Sequence, residues 1–90
     1  MIVHKNIRVT GKVQGVLYRT STADKASSLG LKGFVLNEPT GSVYIEVEGE
    51  EPIVDQLVEW AQTGPPKARV DKVSVAEGVV QGFISFEVWK

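Results

Sequence analysis

The apolar residues of this chain follow two periodicities, and the order in which those periodicities occur limits the available folds. Ile7 and Val9 alternate with polar residues, as in a half-buried strand. A helical stripe of Thr22, Ala26 and Leu29 follows and ends at Gly30. The chain therefore begins with a strand and then a helix.

Two strand patterns joined by a turn come next. The stretch LKGFVLNE, residues 31–38, is apolar at its centre, and Val43, Ile45 and Val47 then alternate with polar residues. Between them, EPTG at residues 38–41 has Pro and Gly where a β-turn favours them. The sequence predicts a hairpin here.

The remainder contains one amphipathic helix and two strand patterns. The helix is predicted over residues 50–64, with an early Pro and a buried stripe made of Ile53, Val54, Leu57, Val58 and Ala61. Strands are predicted within residues 70–77 and 83–89. The side chains expected to face inward from them are Val73, Val75, Ile84, Phe86 and Val88.

The order strand, helix, strand, strand, helix, strand defines the fold class. It predicts an α+β, ferredoxin-like βαββαβ sandwich, in which two helices cover one face of an antiparallel sheet, with a short extra C-terminal strand. Ninety residues fit a single domain spanning residues 1–90. The fold alone does not define a function, because this architecture supports many activities.

Composition excludes several classes of function. Ten Lys and Arg against eleven Asp and Glu leave a net charge of −1, which disfavours bulk attraction to nucleic acid or membranes. The chain has no Cys, which rules out disulfides and thiolate chemistry. No signal-peptide core or membrane-length apolar run occurs, so we expect a soluble, cytoplasmic protein.

The stretch GKVQGVLYR, residues 11–19, carries the first candidate site. Its two glycines permit positive φ, which lets backbone N–H groups surround an anion. Ser21 and Asp24 have the spacing of a capping box, which predicts that the helix begins a residue or two after Arg19. The charge of an arginine is unfavourable beside the positive end of a helix dipole, so Arg19 suggests an anionic ligand. The same sequence is also consistent with a surface arginine beside a simple turn.

Asn37 is the second candidate. Asn is depleted in strands, yet Asn37 ends the apolar run FVL. Its carboxamide is able to hold a water molecule, or it opens the turn before Pro39, a position that Asn also favours.

Together, GKVQGVLYR, LGLKGFVLN, TGSV and GPPKARVDKV closely resemble acylphosphatase, over about residues 7–89. That family shares the ferredoxin-like fold and hydrolyses acyl phosphates to carboxylate and inorganic phosphate without metal or organic cofactor. The resemblance implies a small-molecule acyl phosphate substrate, with phosphate as product and inhibitor. It implies a phosphate cradle formed by Gly11, Lys12, Val13, Gln14, Gly15, Val16 and Leu17. It also implies a catalytic, phosphate-binding Arg19 and a water-positioning Asn37.

Four positions depart from the family's usual pattern. Leu17 stands where Gly or an aromatic is common, and Tyr18 replaces the usual Phe. Leu36 occupies a position that is commonly polar or basic, and Thr40 replaces the Asp of an Asp-Gly turn. Leu17 and Leu36 therefore bear on rate and substrate preference.

Other residues and classes favour less specific interpretations. His4, the only histidine, has no Ser or Cys partner and is interpreted as structural or exposed. The acidic series of Glu46, Glu48, Glu50 and Glu51 is interpreted as a solvated strand face plus helix N-terminal charge. An RNA-recognition module shares the fold, but the motif KGFVLNEP lacks its second stacking aromatic. A ligand-binding domain without turnover is the other alternative.

Overall fold

Five strands and two helices make up the structure, a computed structural model that describes residues 1–90. In chain order they are β1 (Ile2–Lys12), α1 (Tyr18–Ser28), β2 (Lys32–Asn37), β3 (Val43–Glu50), α2 (Glu51–Ala61), β4 (Arg69–Gly78) and β5 (Phe86–Val88). The strands form one sheet in the order β4-β1-β3-β2-β5. Neither helix is long and apolar enough to cross a membrane. The predicted ferredoxin-like order of elements is confirmed.

The sheet is mixed in strand direction. β1 pairs antiparallel with both β3 and β4, and β2 pairs antiparallel with β3. β5 joins the free edge of β2 in parallel, with Gly33 opposite Phe86 and Val35 opposite Val88. The antiparallel prediction therefore holds for β1 to β4, while the segment between β4 and β5 carries the chain from one edge of the sheet to the other.

The core lies between the helices and one face of the sheet. Alternate residues in the central parts of β1 and β3 contribute to it, as predicted: Ile7, Val9, Val43, Ile45 and Val47 are fully buried. The helices add the buried side chains Tyr18, Ala26, Val54, Leu57 and Ala61 to the same cluster. Such alternation stabilises a sheet that is covered on one face, since each inward side chain leaves water when the helices dock.

Three of the residues predicted to face inward are exposed. Val75 lies opposite Ile7, and Val88 lies opposite Val35, so both occupy the core side of the sheet, but their strands are the two edge strands and have a neighbouring strand on one side only. Ile84 precedes the three-residue strand β5 and is 88% exposed. The alternation of FISFEVW therefore does not extend through the whole stretch.

The predicted capping box at the start of α1 is wrong. The helix begins at Tyr18, and its N-cap, Leu17, makes no side-chain cap hydrogen bond. The N–H of Ser21 already donates to the carbonyl of Leu17 at 3.0 Å, so Ser21 lies within the first turn. Arg19 consequently lies at the very start of a helix that has no acidic residue in its first turn.

A buried ion-pair cluster occupies the other face of the sheet. His4 is 3% exposed and Glu48 is 4% exposed. The Nδ1 atom of His4 lies 2.6 Å from Oε2 of Glu48, and its Nε2 atom lies 2.8 Å from Oδ1 of Asn6 and 3.0 Å from Oε1 of Glu46. Because both ring nitrogens face acceptors, the doubly protonated imidazolium is favoured. Of the two interpretations made from the sequence, structural or exposed, the burial and pairing of His4 favour the structural one.

Glu48 also anchors the C-terminal segment. Its carboxylate accepts the backbone N–H of Gln81, that of Gly82 at 3.0 Å and that of Phe83 at 3.2 Å. The interpretation of the acidic series as solvated is therefore wrong for Glu48, because the chain that follows β4 folds over it. Sequence alone does not reveal this contact, which joins residues far apart in the chain.

The pKa values of the pair shift so that both groups stay charged. Burial lowers the pKa of His4, but hydrogen bonds with Glu48 and Asn6 and the charge of Glu46 raise it overall above 6.5. Burial likewise raises the pKa of Glu48, but the N–H groups that it accepts and the His4 ring lower it overall below 4.5. The stabilisation from His4 is complete below pH 6.5 and is lost as the pH rises through the folded-state pKa. The stabilisation from Glu48 is present above pH 4.5 and is lost as the pH falls through the folded-state pKa.

We therefore expect the free energy of unfolding to be largest between about pH 4.5 and 6.5 and to fall as the pH rises above 6.5 through the raised pKa of His4. Each unit by which folding raises the pKa of His4 contributes about 1.4 kcal/mol to that fall. Urea unfolding of the wild type and of His4→Gln at a series of pH values measures the effect. The variant should be less stable at low pH and nearly independent of pH above about 6.5.

The matched control is Glu50→Gln. Glu50 accepts a hydrogen bond from the Met1 ammonium at 2.6 Å and is not among the polar partners of His4. This variant should retain the wild-type slope. A slope that persists in His4→Gln and disappears in Glu50→Gln would contradict the assignment to His4.

Candidate active site

A cavity of about 200 Å³ lies where β1 passes into α1. It is lined by Val13, Gly15, Leu17, Tyr18, Arg19, Thr20 and Asn37. The loop after β1, the first turn of α1 and the last residue of β2 therefore meet at one place. Both residues singled out from the sequence, Arg19 and Asn37, border the same cavity.

Backbone geometry at two glycines defines the path of the loop. At Gly11 the β1–β4 pairing shifts register, and the residue has φ +127°. A Cβ atom there would lie only 2.2 Å from the carbonyl oxygen of Arg69, so no other residue fits without moving β4. Gly15 has φ +72° and open space around it, so glycine is favoured there by the left-handed backbone conformation and not by lack of space for a side chain.

Side chains within the loop hold it against the rest of the protein. Val13 and Val16 are buried. The side-chain Nε2 of Gln14 donates to the backbone carbonyls of Glu38 at 2.8 Å and Ser42 at 3.0 Å, which ties the loop to the β2–β3 turn. These contacts fix the loop through its side chains and leave its backbone for a ligand.

The predicted phosphate cradle is only partly represented in the cavity wall. Val13, Gly15 and Leu17 border the cavity, whereas Gly11, Lys12, Gln14 and Val16 do not. No hydrogen bond within the protein uses the backbone N–H of residues 14–17. The loop therefore presents a run of donors beside the cavity, and its remaining members shape and anchor it.

The first turn of α1 adds further donors. The first N–H groups of any helix have no partner within the helix, and this one has no side-chain cap. Tyr18 holds the turn in place, because its hydroxyl donates to the carbonyl of Ala61 in α2 at 2.7 Å. Burial raises the pKa of Tyr18 far above its ordinary value, so the hydroxyl remains a donor.

Thr20 borders the cavity but was not among the predicted site residues. The only indication of Thr20 in the sequence is its position directly after Arg19. That position indicates a site residue only if the helix begins at Tyr18, because Thr20 then lies in the first helical turn.

Arg19 has no carboxylate partner. Its Nη1 atom donates to the carbonyl of Trp89 at 2.8 Å, and it makes no ion pair. The other two arginines are both paired, Arg8 with Glu38 at 2.7 Å and Arg69 with Asp71 at 3.1 Å. Arg19 is thus the one guanidinium whose charge is not offset within the protein, and it borders the cavity.

Asn37 contributes an unsatisfied acceptor. Its Oδ1 atom is buried without a hydrogen-bond partner. The turn that follows is held by other groups: the N–H of Glu38 donates to the carbonyl of Ser42 at 2.8 Å, and the hydroxyl of Ser42 donates to the carboxylate of Glu38 at 2.8 Å. An unpaired buried carbonyl is costly, which points to a ligand or water as its partner.

A larger cavity, of about 400 Å³, borders the start of α2. Its two carboxylates are already engaged, Glu48 with His4 and the C-terminal segment, and Glu50 with the Met1 ammonium. Its remaining wall is mostly apolar. Size therefore does not single out the candidate site here, whereas unpaired polar groups do.

Comparison with known proteins assigns the family. The sequence profile named Acylphosphatase matches residues 5–88, nearly the whole chain. The chain belongs to the acylphosphatase family. The resemblance predicted from the sequence is confirmed, and with it the hydrolase class.

Individual acylphosphatases agree with this assignment. The acylphosphatase of Acaryochloris marina is 52% identical over 80 residues, which cover 89% of this chain and 86% of that protein. The solved structure of an acylphosphatase from Coxiella burnetii superposes with a TM-score of 0.95 at 39% identity, covering 98% of this chain and 93% of that one. The acylphosphatase from Bacillus subtilis gives the same TM-score at 33% identity over the full length of both chains. The activity of this acylphosphatase is hydrolysis of acyl phosphates.

Proposed function

We propose that the cavity beside Arg19 is the active site, and that it hydrolyses acyl phosphates without a metal ion. The observation that carries this proposal is that one small cavity is bordered both by the guanidinium of Arg19, which has no ion-pair partner, and by the buried side-chain carbonyl of Asn37, which has no hydrogen-bond partner. The first is suited to a phosphoryl group and the second to a water molecule.

The phosphoryl group binds to the loop of Gly11 to Leu17 and to Arg19. The unpaired N–H groups of the loop and of the first turn of α1 donate to its oxygens, and the helix dipole favours its negative charge. The planar guanidinium of Arg19 grips two oxygens at once. The hydrogen bond to Trp89 uses only Nη1, which leaves the other guanidinium donors for the substrate.

The water is positioned by Asn37. Its Oδ1 accepts a hydrogen bond from the water, and this contact orients a lone pair of the water oxygen toward phosphorus. The water oxygen bonds to phosphorus as the bond to the bridging oxygen breaks, so carboxylate and inorganic phosphate leave. The water's protons remain on the phosphate or pass to solvent. Carboxylate is a weak base, and the reaction therefore needs no general acid.

The direct test of this function is phosphate release from benzoyl phosphate in the presence of a chelator. We expect the purified protein to hydrolyse this substrate at the same rate before and after dialysis against EDTA, because positioning and electrostatic stabilisation come from the chain's own groups. Added inorganic phosphate should inhibit competitively. Activity that EDTA abolishes and a divalent ion restores would contradict the proposal.

Substitution of Arg19 tests the phosphate contact. Arg19→Lys and Arg19→Ala should both lower kcat/KM, on the order of a hundredfold or more, because an ammonium cannot replace the bidentate fork. Phosphate inhibition should weaken in both variants. Arg69→Ala, which removes an exposed and paired arginine, is the control and should keep both properties. Near-normal turnover by Arg19→Lys would exclude the bidentate role.

Asn37→Ala tests the water contact separately. We expect kcat to fall on the order of a hundredfold while phosphate inhibition changes little, since the interaction matters chiefly in the transition state. Thermal stability should not fall, because the variant removes an acceptor that has no partner in the folded protein.

Asn6→Ala is the matched control. Asn6 bonds His4 at 2.8 Å, outside the cavity, so its loss should lower the melting temperature and leave kcat unchanged. If Asn37→Ala instead shows normal kcat and a lowered melting temperature, Asn37 shapes the turn before Pro39 and does not position water.

A further inference from the structure

Leu17 combines two unfavourable features at the edge of the active site. It is the only residue other than glycine with positive φ, at +64°. It is also 73% exposed, although its side chain is fully apolar. A glycine in its place would adopt this backbone conformation without strain and would expose no apolar surface to water. Residues held in such conformations cluster where ligands bind.

Leu17 is the one apolar side chain of the cavity wall that a ligand is able to reach. The other two apolar members, Val13 and Tyr18, are each 1% exposed and belong to the core. Gly15 has no side chain, and Arg19 and Asn37 are polar groups with roles in the proposed chemistry. An apolar group that enters the cavity therefore meets Leu17.

The acyl part of the substrate must lie close to this residue. In an acyl phosphate, a single bridging oxygen joins the acyl carbon to phosphorus. With the phosphoryl group held by the loop N–H groups and by Arg19, the acyl group projects from a point beside residues 15–19. Arg19 is the only charged residue of the wall and is used by the phosphate, so a second charge on the substrate finds no partner there.

We propose that Leu17 is a specificity-determining residue that packs against the acyl group. It favours acyl phosphates whose acyl group is neutral, apolar and larger than acetyl, such as an aromatic or branched aliphatic acid. This inference rests on the proposed function, because it takes the phosphoryl group to lie beside the loop and Arg19. The contact removes apolar surface of both partners from water, and it is absent for acetyl phosphate, whose methyl group is too short to cover the leucine.

The ratio of kcat/KM for benzoyl phosphate to that for acetyl phosphate measures the contact. Acetyl phosphate serves as the internal reference for each variant, so changes in phosphate binding or in the folded fraction cancel. We expect Leu17→Ala and Leu17→Gly to lower this ratio about tenfold, the scale of losing a few methyl and methylene contacts in an apolar pocket. Leu17→Met, which keeps the apolar volume, should retain it.

Two comparisons separate the side chain from the backbone. Leu17→Gly should melt at a higher temperature than Leu17→Ala, because glycine relieves the strain at positive φ, yet both should show the same reduced ratio. Ile84→Ala, which truncates an apolar residue 88% exposed outside the cavity, should keep the wild-type ratio.

The outcomes are distinguishable. If the wild type hydrolyses both substrates and the ratio stays constant in Leu17→Ala, the specificity role is wrong and the proposed function stands. Equal losses for both substrates would also exclude a contact with the acyl group. A wild type that releases phosphate from neither substrate would overturn the proposed function, and this inference with it.

Discussion

The close approach of two backbones at Gly11 is the constraint on which the candidate active site depends. Strand β1 runs against β4 until the register shifts between Thr10 and Gly11, where the missing side chain lets the backbone pass the carbonyl of Arg69. The chain then leaves the sheet and is held by the buried Val13 and Val16. Through this bend, the N-terminus of α1 comes to lie beside the last residue of β2.

Polar groups in this protein divide into those that are satisfied and those that are not. His4 and Glu48 are buried on the face of the sheet away from the helices, and both ring nitrogens of His4 and both carboxylate oxygens of Glu48 have hydrogen-bond partners. Arg19 and Asn37 border the cavity with an uncompensated charge and an unpaired acceptor. A buried polar network stabilises the fold when it is complete, whereas an incomplete one is costly and is retained where a ligand completes it. This difference separates the structural cluster from the candidate site more clearly than cavity size does.

Local patterns predicted the elements well where one physical effect dominates. The alternation in β1 and β3 is confirmed because a sheet covered on one face buries every second residue. The predictions failed where the local structure depends on the tertiary context and not on the neighbouring residues alone. The spacing of Ser21 and Asp24 fits a capping box, but the helix begins earlier, at Tyr18, directly after Leu17 in the left-handed conformation. Ile84 continues an apolar alternation, yet β5 is only three residues long, lies at an edge of the sheet and begins after Ile84.

By itself, the sequence determined the order of strands and helices, the family, and the residue types that phosphate chemistry requires. These follow from periodicity and from motifs, which are properties of neighbouring residues. The tertiary structure alone decided which of those residues meet. It brings Arg19 and Asn37 to the same cavity, leaves Arg19 as the one arginine without an ion pair, and closes the C-terminal segment over Glu48. Charge pairing and burial depend on contacts between residues far apart in the chain, and no local pattern encodes which partner a side chain will find.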